Sequence, residues 1–132
     1  MKKASPIPYS KAVKSGCLLF LSGHIGLDSK SNTMGPTIED QTKQTLENLK
    51  ATLEENGSNL ADVVKTTVFL QNLDDYGKVN EIYGKYFHSP YPARSAVQIS
   101  RLPREALIEI EAVAKLKKDK DCNDCPDCCG NC

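Results

Sequence analysis

Along this chain the apolar residues recur with a helical period in two stretches and with a period of two in the segments around them. The first helical stretch spans residues 37–56, where Leu46, Leu49 and Leu53 share a stripe with Ile38 and Thr42. Thr37 followed by Asp40 has the form of a capped start, because a side-chain oxygen there takes an unpaired backbone N–H and a carboxylate suits the positive helix end. Gly57 supplies the stop, since glycine readily takes the left-handed conformation that closes a helix. The second stretch spans residues 74–87 and aligns Tyr76, Val79, Asn80, Tyr83 and Phe87. It must end before Ser89, because Pro90 steers the residue ahead of it away from the helical region.

Period two governs the rest. Val64, Thr66, Val68 and Leu70 share one strand face, and Ile108, Ile110, Ala112, Ala114 and Leu116 share another. Residues 17–21 and 95–100 read as further strands, with a short one near 25–27. Leu102-Pro103-Arg104-Glu105 reads as a turn that makes the last two strands an antiparallel pair. The order ββαβαββ predicts an α+β domain, a single sheet with two helices on one face. The other face must be wet or packed against another copy, and the apolar residues Val63, Phe69, Val97 and Val113 that alternation places on it favour self-association.

At 132 residues the chain suits one domain. Its 17 basic and 17 acidic residues cancel, which removes any general attraction to nucleic acid or to an anionic membrane. The longest apolar run, residues 17–21, falls far short of the roughly 20 residues a membrane-spanning helix requires. The first residues lack the apolar centre of a secretory signal, so a cytoplasmic location is expected. The body is expected to occupy residues 1–116, followed by a charged linker and a cysteine-rich tail over 117–132. Only Cys17 lies in the body, so no disulfide framework is expected to hold the fold. Cys122, Cys125, Cys128 and Cys132 have the spacing of a bacterial iron–sulfur run, but no second run exists to share a cluster. Two readings of the tail stay open: a reduced segment that touches nothing, or a local thiolate site for zinc or copper(I).

Candidate chemistry gathers in Tyr91-Pro92-Ala93-Arg94-Ser95-Ala96-Val97 and in Ile108-Glu109-Ile110-Glu111-Ala112. Arg94 opens a strand directly after a proline-containing loop, where its planar guanidinium can face a cleft and take a carboxylate through two parallel hydrogen bonds; the plain alternative is a solvated arginine. Glu109 projects from the face opposite the apolar stripe, as any half-exposed strand residue does, and Glu111 shares that face. Tyr9 is either a packing plug or a cleft wall with a hydroxyl handle. Ser22 and Gly23 end the first strand, where glycine permits close approach to a ligand. Asn80, on the core stripe of the second helix, needs a hydrogen-bond partner. His24 and His88 lack a nearby cysteine or a triad and read as non-catalytic.

These segments, together with Pro8-Tyr9-Ser10-Lys11-Ala12-Val13, Leu21-Ser22-Gly23, Val64-Lys65-Thr66-Thr67-Val68-Phe69, Val79-Asn80-Glu81-Ile82-Tyr83 and Leu102-Pro103, resemble the RidA/YjgF family in the same order over residues 1–116. The resemblance implies a chorismate-mutase-like fold and a homotrimer with a barrel core and clefts between subunits. It also implies cofactor-free hydrolysis of 2-aminoacrylate, 2-iminobutanoate and related enamines and imines to 2-keto acids and ammonia. By the same resemblance Arg94 grips the substrate carboxylate and Glu109 holds or activates water, with Glu111 second. Tyr9, Ser22, Gly23, Asn80 and the backbone at Ser95 and Ala96 then surround the small imino acid. Ala96 stands where many members carry cysteine or threonine, and His24 where they commonly carry glutamine. An imine carbon is already electrophilic, so orientation and proton handling suffice without metal or cofactor. Two other classes compete. A ribonuclease or translation inhibitor, as assigned to some relatives, is disfavoured by the zero net charge; a non-catalytic ligand-binding or chaperone-like module would need Arg94 but not Glu109.

Overall fold

The two helices form where the apolar stripes lie. In the computed structural model, which describes residues 7–116, helix α1 spans Ile38–Glu55 and helix α2 spans Tyr76–Tyr86. The Thr37 hydroxyl accepts the Asp40 N–H at 3.1 Å, and Gly57, just past the C-cap Asn56, takes a φ of +80°. Ile38, Leu46, Leu49 and Leu53 of α1 are buried, as are Val79 and Tyr83 of α2 and Phe87 at its end. No helix among the described residues is long and apolar enough to cross a membrane.

Among the described residues seven strands accompany the helices: β1 (Ala12–Ser15), β2 (Leu18–Ile25), β3 (Leu27–Asp28), β4 (Thr33–Met34), β5 (Val63–Leu70), β6 (Ala93–Gln98) and β7 (Ile108–Lys115). Five of them form one sheet in the order β1-β2-β7-β5-β6, and β3 and β4 form a separate ribbon. The helices pack on one face of the five-stranded sheet. That face presents Leu19, Leu21, Val68, Leu70, Ile108, Ile110, Ala112 and Ala114, all in the buried core. The mixed α+β class and the one-sided helix layer are therefore as expected.

Three details differ from expectation. The last two strands do not pair, because β6 lies parallel to β5 while β7 inserts between β2 and β5, antiparallel to both. Helix α2 is the crossover that makes β5 and β6 parallel. The continuous apolar stripe of β7 gains most by lying centrally, where neighbours cover both edges. Second, β1 is an unexpected edge strand, and residues 18–25 form one long β2 rather than ending at Leu21. Leu21 pairs with Ala112 and His24 with Ile110, which leaves Ser22 and Gly23 together opposite Glu111; this is a β-bulge, not a strand exit. Third, a register shift between Val63 and Lys65 turns Val63 into the core, so it leaves the open face assigned to it.

That open face stays apolar. Val13 is 51% exposed and Phe20, beside it, 44%, with Leu18 and Val97 also exposed and Phe69 and Val113 half-buried. Cys17, in the turn between β1 and β2, is disulfide-bonded, where the sequence predicts no disulfide framework. Among the described residues the buried core cluster contains no cysteine.

Candidate active site

Arg94 owes its position to strand register. It pairs with Thr66, which pairs on its other side with the buried Ala112, so the Arg94 side chain leaves the sheet on the helix face. There α2 presents Tyr76, Asn80 and Tyr83 at helical spacing. The Tyr83 hydroxyl is bonded to the Thr66 hydroxyl at 2.8 Å, and burial pushes its phenol up, so the ring is neutral and fixed. The Arg94 Cζ lies 4.8 Å from the Tyr83 ring centre and 5.3 Å from that of Tyr76. Its Nη2 donates to the Tyr76 hydroxyl at 2.9 Å. Two aromatic faces thus hold the cation; such contacts contribute about 0.5–2 kcal/mol each.

A cleft of about 330 Å³ opens beside this group, lined by Asn80, Tyr83, Gly84, Tyr91, Pro92 and Arg94. Among the described residues no carboxylate lies within ion-pair distance of Arg94. Asn80 Oδ1 is buried there without a hydrogen-bond partner among the described residues. The cleft therefore offers a cation with spare donors and an unused acceptor, the complement of a small molecule with a carboxylate and an N–H. Ala96, two residues along β6, turns its side chain toward the core. Among the described residues β6 is an edge strand, so alternate backbone groups near the cleft face away from the sheet.

Glu109 belongs to a second cluster. It pairs with Phe69 and Ile25 and lies on the open face, half-buried. A Cβ on Gly23 would collide with the Glu109 carboxyl group, so the missing side chain of the bulge residue is what gives the carboxyl its seat. Burial, helped by the charge of Glu111, holds the Glu109 pKa above the ordinary carboxylate value. Ser22 donates from its hydroxyl to Ser10 O at 2.5 Å and from its N–H to Lys11 O at 3.0 Å, anchoring the segment that carries Tyr9. Tyr9 is 59% exposed and shares a cavity of about 260 Å³ with Lys11, Gly23, His24 and the α1 residues Asn48 and Thr52.

The expected site residues thus fall into two groups. Arg94, Asn80 and Ala96 stand on the helix side of β6, whereas Glu109, Gly23, Ser22 and Tyr9 gather around the bulge of β2. Arg94 and Glu109 leave opposite faces of the same sheet, so one chain does not bring them together. Glu111 is exposed on the open face, as expected from alternation. Helical spacing marks Tyr76 and Tyr83 as packing residues and gives Tyr91, at the head of the Arg94 segment, no role; only the register of β6 against β5 brings Arg94 onto the first two rings. Among the described residues no three histidine, cysteine or acidic side chains gather as a metal site. The expected tail ligands Cys122, Cys125, Cys128 and Cys132 lie outside the described residues.

A helix-backed mixed sheet with an arginine cleft at its edge strand defines a small α+β protein of the RidA/YjgF kind. Residues 2–116 match the family described as Endoribonuclease L-PSP, and the chain belongs to that family. It is 51% identical to a RutC family protein of Pyrococcus horikoshii over 81% of this chain and 86% of that one. It is 44% identical to a 2-iminobutanoate/2-iminopropanoate deaminase of Mus musculus over 81% of this chain and 80% of the relative. Among solved structures, RidA from the Antarctic bacterium Psychrobacter superposes with a TM-score of 0.81 at 38% identity, covering 86% of this chain and 92% of that one.

Proposed function

We propose that the protein hydrolyses 2-aminoacrylate, 2-iminobutanoate and related enamines and imines to 2-keto acids and ammonia, in the cytoplasm, at clefts between the subunits of a homotrimer. The observation that carries the reading is the Arg94 guanidinium, held between two tyrosine rings beside a cleft to which the described residues bring no carboxylate. The deaminase-named relatives support the substrate class.

The division of the site between sheet faces supports the assembly. Arg94 of one copy needs the partner subunit's Glu109, and the uncovered apolar face with Val13, Phe20 and Val97 gives a second copy a reason to dock. Arg94 then grips the carboxylate, the β6 backbone at Ser95 and Ala96 holds the imine nitrogen, and Glu109 holds water against C2. The enamine first becomes the imine by taking a proton at C3 and giving one up at nitrogen. Water oxygen bonds to C2 while Glu109 takes one water proton and hands it to the nitrogen. The C–N bond then breaks as Glu109 carries the hydroxyl proton to the nitrogen, so that the hydroxyl oxygen becomes the keto oxygen and ammonia leaves. A carboxyl whose pKa is raised toward working pH suits both halves of this relay.

The test is to generate 2-iminobutanoate in situ with an auxiliary enzyme and follow its decay. Wild-type protein accelerates the loss, and Arg94→Ala abolishes the acceleration while sedimentation still reports a trimer. Equal rates for the two proteins would sink the deaminase reading. RNA cleavage, the activity in the family description, is checked on the same preparations; zero net charge gives RNA little attraction.

A further inference from the structure

We infer that His24 is a positioning residue for Glu109, clamping the β2 bulge whose Gly23 seats the carboxyl group. The inference rests on the reading of Glu109 as the group that handles water. A bulge lacks part of its ladder and keeps its shape only through what braces it. The Ser22 N–H and hydroxyl tie the bulge to the segment at Ser10 and Lys11. A third brace comes from the helix layer: His24 Nδ1 lies 2.6 Å from Ser22 O, and His24 Nε2 lies 2.8 Å from Thr52 Oγ1 on α1. The imidazole therefore spans from α1 to the carbonyl that precedes Gly23, whose missing side chain leaves the space that the Glu109 carboxyl fills.

The site is built for an imidazole. His24 is 8% exposed and shares the helix face with its strand partner Ile110, where an unsatisfied ring nitrogen would be costly. Ser22 O can only accept, so Nδ1 carries a hydrogen. In the neutral ring Nε2 accepts from the Thr52 hydroxyl. Thr52 Oγ1 also lies 3.1 Å from Asn48 O, so on protonation Nε2 donates to Thr52 and the hydroxyl turns to Asn48. Both ring states keep the bond to Ser22 O, and the clamp holds in either. Burial foremost, and then the charge of Lys11, keeps the ring neutral at neutral pH.

The groups around the clamp are few. Lys11 and Tyr9 of the N-terminal segment and Glu55 of α1 share the His24 cavity. On the far side of the sheet Glu109 has Glu111 on its own strand, and its cross-strand neighbours Phe69 and Ile25 carry no charge. Loss of the clamp lets the bulge relax and the Glu109 carboxyl move toward solvent, where its pKa falls to the ordinary range. The Arg94 cleft lies on the same face as His24 but at β6, the edge of the sheet three strands from β2, and is untouched.

The experiment measures the Glu109 titration by NMR of carboxyl-labelled full-length protein, alongside kcat and KM for 2-iminobutanoate. His24→Leu fills the volume without the clamp. It is expected to lower the Glu109 pKa and cut kcat roughly ten- to hundredfold, the scale of a small misplacement of a reacting group, with KM within about twofold. His24→Gln, whose amide can reach Ser22 O, restores most of both. Should His24→Leu fail to fold, Thr52→Val, which unties the ring from α1 at nearly constant volume, carries the test with a smaller shift in the same direction. An unchanged Glu109 titration in a folded variant overturns the clamp. A shifted titration in a protein whose wild type turns nothing over keeps the clamp and retires the deaminase reading.

Discussion

The two halves of the site are built by opposite means. Arg94 sits on regular structure: a strand register chooses its face, helical spacing lines up Tyr76, Asn80 and Tyr83, and a hydroxyl pair fixes the ring beneath it. Glu109 sits on irregular structure: a strand whose partner bulges, a glycine with no side chain, and an N-terminal segment tied down by one serine. The binding half inherits the rigidity of the fold. The chemical half depends on a defect in it, and a defect needs dedicated braces. Substitutions should therefore act on binding through Arg94's surroundings and on turnover through the bulge.

The largest effect expected is from Glu109→Gln, which removes the proton acceptor and should lower kcat by about 10²–10⁴ in the imine decay assay, within the usual range for a general base. The same change should raise the melting temperature slightly at neutral pH. A carboxyl whose folded pKa lies above its unfolded value favours folding while protonated, and that contribution is lost as pH rises through the folded pKa. The ionised Glu109 thus costs stability at neutral pH, and glutamine relieves it. In wild type the rate should fall as pH drops through this raised pKa. A rate that stays flat well into the acid range would show that Glu109 does not take the proton.

Gly23→Ala comes next. The new Cβ would occupy the seat of the carboxyl, so kcat should fall roughly ten- to hundredfold while a 2-keto acid product still binds at Arg94 with unchanged affinity by calorimetry. A loss of product binding would break the separation of the two halves. The smallest effect belongs to Tyr76→Phe, which keeps the ring beside Arg94 and removes only the 2.9 Å hydrogen bond. A typical bond of this kind contributes about 0.5–1.5 kcal/mol, so KM should rise about two- to tenfold with kcat nearly constant.

Much of this architecture can be read from residue order. The capped helix at Thr37, its stop at Gly57, the Tyr76–Phe87 stripe and the alternation through Ile108–Ala114 are local, and local patterns survive folding because short-range geometry dictates them. The pairing of strands is not local. Nothing in the residues around Leu102 and Pro103 says that β7 will cross to the centre of the sheet. Ser22-Gly23 resembles a strand end because a bulge and an exit use the same small residues. The face of Arg94 relative to Glu109 was hidden for a related reason: period two orders side chains within a strand, but only register across β5 relates one strand to the next. Family resemblance named the two residues without saying that one chain holds them apart.

A sheet that carries its cation on one side and its acid on the other makes a solitary copy inert on the proposed reading. Newly synthesised chains would acquire their chemistry only by meeting, so abundance, as much as correct folding, would set when the reaction starts.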